Sequence, residues 1–122
     1  MLGDDCSKPP AVLIVEDEAL IRMSAVRIVE DAGFEVIEAA TADEAIRILE
    51  KRSDIRVVFT DVHMPGSMDS LRLAHAIRYR WPPIKVIVTS GGGRVSEQDL
   101  PNGGRFIAKP YEPTQIIDAI GA

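Results

Sequence analysis

The chain has 122 residues, of which 46% are apolar and 27% charged, and its net charge is −5. That is enough for one domain with a buried core, and it excludes a disordered chain, a collagen-like chain and a coiled coil. No apolar run exceeds Ala11–Val15, far short of the ~20 residues a membrane-spanning helix needs, and the acidic balance disfavours a free-standing nucleic-acid binder.

Residues 1–10 (MLGDDCSKPP) read as a polar tail with no apolar h-region of a secretory signal, and residues 11–122 as the domain. Cys6 is the only cysteine, which excludes an internal disulfide and a thiolate metal cage and fits a reducing cytoplasm. Ala11–Val15 predicts a buried strand. Leu20, Met23, Ala25, Val26, Ile28 and Val29 then recur at helical spacing, and Gly33 ends that helix. Phe34–Glu38 alternates as a short strand. Thr41 and Glu44 form a capping box for a helix with Ala45, Ile46, Ile48 and Leu49 as its apolar positions. Ile55–Thr60 predicts a third strand. A helix through Leu71, Leu73, Ala74 and Ile77 stops at Trp81-Pro82-Pro83. Ile84–Thr89 and Arg105–Ala108 predict two further strands, and Pro113 suits the first position of a last helix carrying Ile116, Ile117 and Ile120.

Five β-α repeats in this length imply a three-layer α/β/α, flavodoxin-like fold. Its five-stranded parallel sheet has the order 2-1-3-4-5. The fourth repeat is the irregular one. Gly91-Gly92-Gly93, Pro101 and Gly103-Gly104 leave only Val95–Leu100 able to form a helix.

In this architecture ligands bind beyond the carboxyl ends of the strands. Glu16, Asp17 and Glu18 follow the first strand, Asp61 the third, Thr89-Ser90 end the fourth, and Lys109-Pro110 follow the fifth. Asp17 alone reads as a helix cap, Lys109 as a solvated lysine and Thr89 as a strand-end hydroxyl. Together they describe more. Carboxylates held close repel unless a cation lies between them, and carboxylate oxygens suit Mg²⁺. A hydroxyl and an ammonium beside them suit a phosphoryl group, so the set fits metal-assisted phosphoryl transfer to a carboxylate.

The segments VLIVEDE at 12–18, VVFTDVHMPG at 57–66, VIVTSG at 86–91 and FIAKPY at 106–111 resemble the receiver domain of two-component response regulators. The resemblance spans nearly all of residues 11–120. It implies that Asp61 accepts a phosphoryl group from a sensor histidine kinase or phosphotransfer protein. It further implies Mg²⁺ as cofactor, held by Asp17, by Glu16 through water, by Asp61 and by the backbone carbonyl of His63. Thr89 and Lys109 would grip the phosphoryl oxygens, and Phe106 would be the aromatic switch coupled to Thr89. The implied protein catalyses its own phosphorylation and dephosphorylation, and switches conformation to control a downstream protein or fused output domain. Direct nucleic-acid or membrane binding is not implied; a homodimer is left open.

Several residues depart from the family pattern. Glu16 stands where Asp is common, and Ser90 where Ala is usual. LPNGGRFIAKPY resembles a subset of stand-alone receivers with a degenerate fourth helix; a short fourth helix would leave the partner face of this chain to the fifth strand and last helix, with Phe106 and Tyr111 as its anchors. His63 reads equally as a residue lining the water path and as an exposed loop residue, His75 as a surface residue, and Trp81 as packing at a helix stop. Three rivals fit less well. A haloacid-dehalogenase-type hydrolase wants D-x-D, but position 63 is His; a flavin carrier would find its phosphate repelled by Glu16-Asp17-Glu18; and a phosphorylation-dead scaffold would not need Asp17, Asp61, Thr89 and Lys109.

Overall fold

A computed structural model describes residues 11–61, 68–90, 104–108 and 111–121, without side chains at 68–71 and 90. In chain order these form β1 (Ala11–Val15), α1 (Ala19–Asp31), β2 (Glu35–Ala39), α2 (Ala42–Lys51), β3 (Ile55–Asp61), α3 (Met68–Arg80), β4 (Lys85–Ser90), β5 (Arg105–Ala108) and α4 (Pro113–Gly121). The five strands make one parallel sheet in the order β2-β1-β3-β4-β5, the order expected from the alternating pattern. The expected short fourth helix, at most Val95–Leu100, falls outside the described residues.

The sheet is buried on both faces. Leu13, Val15, Val58, Val86 and Val88 meet Ala45 and Leu49 of α2 and Leu73, Ala74 and Ile77 of α3. Val12, Ile14, Val57, Phe59 and Ile87 meet Ala25 and Val29 of α1 and Ile116, Ala119 and Ile120 of α4. Alternate residues of one strand thus feed two cores, which is why β1 reads as an unbroken apolar run.

Local chemistry sets the helix ends. At the end of α1 the amides of Gly33 and Phe34 donate to the carbonyls of Glu30 (2.9 Å) and Val29 (3.4 Å). Gly33 has φ +98°, so this is a Schellman turn with glycine in the left-handed position. Phe34 serves that turn rather than opening the strand, and β2 starts one residue later than expected. The α2 cap has Thr41 Oγ1 accepting from the Glu44 amide at 3.1 Å. The return bond of Glu44 goes to the Ala40 amide at 2.7 Å, one residue before the expected position. β4 likewise runs one residue later than expected, and β3 extends through Asp61.

The expected apolar face of α1 needs correction. Ala25 and Val29 are buried, but Leu20 is 78% and Met23 62% exposed. At about 100° per residue, Leu20 and Met23 stand roughly 140° and 160° around the helix from Ala25. The inward arc is narrower than the apolar spacing suggests.

Candidate functional site

β1 and β3 are neighbours, and their carboxyl ends bring Glu16 and Asp61 together. Both side chains are buried, each at 5% exposure, and Asp17 is half-buried beside them. Asp61 pairs in register with Thr89 of β4, itself buried. Glu16, Asp61 and Thr89 line one small cavity, closed on its other sides by Phe59 and Tyr111 among others. Tyr111 meets Phe59 edge-on, with ring centroids 6.0 Å apart and an interplanar angle of 71°. Through this contact Tyr111 packs over the site. Phe106 is half-buried against the core under α2 and α3. Lys109, His63 and Pro110 lie outside the described residues, as does the side chain of Ser90.

The electrostatics of this corner are strained. Burial pushes the Glu16 carboxyl up to about 7, and the neighbouring Asp61 and Asp17 carboxyls add to the rise. The Glu18 amide, donating to Glu16 Oε2 at 3.0 Å, opposes it. Negative charge on Glu16 is therefore disfavoured while these carboxyls stand together with no cation between them.

Two backbone contacts fix Glu16. Its amide donates to the Ala39 carbonyl at 3.0 Å, extending the β1–β2 ladder by one bond. Its carbonyl accepts from Arg22 Nη1 at 2.7 Å, while Arg22 Nε bonds Glu38 Oε1 at 3.0 Å. Sequence reasoning missed Arg22. Glu38 was visible at the end of the second strand, but its pairing with Arg22 depends on the β1–β2 register, which sets Ile14 beside Glu38.

Among the described residues no group of three or more His, Cys, Asp and Glu side chains forms a metal cage. Mg²⁺ does not require one, since it keeps several waters and commonly uses one or two carboxylates plus phosphate oxygens. Two buried, mutually repelling carboxyls with a third at their edge fit that habit.

One further polar atom stands out. Thr60 Oγ1, on the opposite sheet face from Asp61, is buried with no hydrogen-bond partner.

Residues 12–121 match the family model described as the response regulator receiver domain. The sensor kinase CckA of Brucella abortus (strain 2308) is 35% identical over 120 residues, covering 95% of this chain and 13% of the kinase. The chemotaxis protein CheY of Thermotoga maritima is 34% identical over 115 residues, covering 89% of this chain and 92% of CheY. A response regulator receiver domain protein from Clostridium thermocellum superposes with a TM-score of 0.82 at 27% identity, covering 92% of this chain and 91% of that one. The chain thus spans nearly all of one relative and a small part of another.

Proposed function

Since the chain belongs to the response regulator receiver domain family, and is therefore a phosphoryl-accepting signalling switch of two-component systems, we propose that Asp61 is its acceptor. The observation that carries this is the burial of Asp61 at the carboxyl end of a central strand, against Glu16 and in register with Thr89.

In this reading an Asp61 carboxylate oxygen attacks phosphorus in line. The bond from phosphorus to a kinase imidazole nitrogen breaks, and the departing imidazole keeps the electron pair. Thr89 donates its hydroxyl to a phosphoryl oxygen, and the Lys109 ammonium pairs with another. Mg²⁺, held by Glu16, Asp17, Asp61 and the His63 carbonyl, would neutralise the crowded carboxylates and the phosphoryl oxygens. Arg22 holds the Glu16 backbone in place. The same groups assist phosphorylation by a small phosphodonor and later hydrolysis, so catalysis resides partly in the receiver. Phe106 and Thr89 then carry the new charge into a second packing of the domain.

We assign residues 11–122 to the receiver and residues 1–10 to a tail. The phosphodonor is a sensor histidine kinase or phosphotransfer protein, and the recipient of the signal is a downstream protein or a fused output domain. These assignments, and a cytoplasmic location, follow the family pattern. Among the described residues no helix is long and apolar enough to cross a membrane.

Incubation with acetyl phosphate and Mg²⁺ tests the acceptor. The wild type is expected to gain the mass of one base-labile phosphoryl group and Asp61→Asn none. Equal labelling of both proteins overturns the assignment.

A further inference from the structure

At the amino end of the sheet, opposite the acidic corner, lies a cleft of about 470 Å³. That is within the roughly 300–1,000 Å³ range of small-molecule sites. Its floor includes Ile55 and Ile84, and its wall includes Trp81 and Pro83. The Arg80 guanidinium carbon lies 4.4 Å over the Trp81 ring and is tied to Glu50 at 2.9 Å. Together Trp81 and Arg80 make a cation–π layer of the kind on which flat rings stack.

The charge of the lining is unusual for this protein. Four of the 14 lysines and arginines in an acidic chain line the cleft, with Glu50 the one acid among the lining residues. Part of this has a simple cause: Lys51 and Arg80 sit in the last turns of α2 and α3, where cations complement the helix dipole. Arg52 is neutralised by Glu35 and Asp54.

Arg56 has neither explanation. It lies in a strand and is exposed, and no described residue forms an ion pair with it. It is also the extra residue of a β-bulge. Ala11 pairs with Ile55 and Val12 with Val57, so Arg56 is skipped in the register. Bulges are rare between parallel strands, and they re-aim a side chain at the cost of regular pairing. Here the re-aimed residue is a cation with no ion-pair partner among the described residues, on the rim of a cleft with an aromatic wall.

We infer that this cleft binds a flat-ring phosphate of mononucleotide size, its ring against the Trp81–Arg80 layer and its phosphate on Arg56 and Lys51. Asp61 is five residues from Arg56 along β3, about 17 Å at ~3.3 Å per residue, so the site is separate from the acidic corner.

Trp81 is the only tryptophan of the chain and reports on its own surroundings. Titration of the full chain with AMP and with phenyl phosphate, followed by Trp81 fluorescence, is expected to give a saturable change with both. Adenosine, which lacks the phosphate, should bind at least about tenfold more weakly than AMP, as should AMP to Arg56→Ala, with Arg56→Lys recovering part of the loss. Asp61→Asn should bind AMP as the wild type does, which keeps this result independent of the acceptor assignment. Failure of both phosphates to saturate overturns the inference. So does adenosine binding as tightly as AMP, or Arg56→Ala binding unchanged while its thermal unfolding matches the wild type. Saturation by an acidic aromatic peptide alone would make the cleft a protein-docking groove and equally overturn it.

Discussion

The two ends of the parallel sheet treat charge differently. At the carboxyl end the carboxyls of Glu16 and Asp61 are buried together, with Asp17 beside them, and this crowding raises the Glu16 carboxyl. At the amino end Arg52 joins Glu35 and Asp54, and Arg80 joins Glu50, in partly exposed opposite-charge pairs. Helix direction favours this sorting. In a parallel α/β sheet the helix N-termini cluster at the carboxyl ends of the strands and the C-termini at the other end. The first turn of α2 carries Asp43 and Glu44, its last turn Lys51, and the last turn of α3 Arg78 and Arg80. The dipoles explain the signs of the charges, but not the burial of the acids. Buried like charges weaken the free fold, and such a cost persists where a ligand offsets it.

The sharpest way to break this contrast is to remove charge at the acidic corner. Glu16 takes up its proton near 7 in the folded protein and near 4.5 when unfolded. Between those values the folded chain holds the extra proton, so this group's contribution to stability falls as pH rises through the window and levels above it. Urea unfolding without divalent cations should show that fall, on the order of 1–3 kcal/mol. Glu16→Gln should flatten it and unfold at higher urea than the wild type at pH 8. A Glu16→Gln protein less stable than the wild type at pH 8 would contradict the strained corner.

Mg²⁺ should act in the same direction by mass action. On the proposed reading it binds only the assembled site, so saturation at a hundredfold excess over Kd would be worth about 2.7 kcal/mol and would raise Tm. The rise should shrink sharply in Asp61→Asn and remain in Arg56→Ala. Calorimetry that finds equal rises in the two variants would place the cation elsewhere.

A smaller effect is expected at Thr60. Its buried hydroxyl forms no hydrogen bond, so Thr60→Val should stabilise the protein by about 1–2 kcal/mol at every pH. Chemical denaturation that shows a loss instead would mean that the hydroxyl is used in the folded state.

The smallest effect belongs to the basic end. Arg52→Ala removes partly exposed pairs and should cost only about 0.5 kcal/mol, a difference that shrinks further in 1 M salt. A cost as large as the gain from Glu16→Gln would erase the contrast between the two ends.

Much of this was legible from local pattern. Continuous apolar runs gave the central strands, because strands covered on both faces have no polar side to display. Strand-end position then grouped Glu16, Asp61 and Thr89, because parallel strands all deliver their carboxyl ends to one edge. The errors came from contacts that local spacing cannot encode. Phe34 has strong strand propensity, yet it completes the Schellman turn of α1. Leu20 and Met23 fit the helical apolar period, yet they stand exposed, since the arc of α1 that meets the sheet is set by Ala25 and Val29.

By itself the sequence determined the order of elements, the fold class and the edge of the sheet where the acids gather, since hydrophobic period and turn chemistry act over a few residues. Only the tertiary structure decided the rest. It buried Glu16 beside Asp61, tied Arg22 to both the Glu16 carbonyl and Glu38, and turned Tyr111 onto Phe59. It also displaced Arg56 from the ladder between β1 and β3. Each of these depends on strand register and helix packing between residues distant in the chain. Desolvation and ion pairing respond to that arrangement in space, which a local pattern of residue types does not contain.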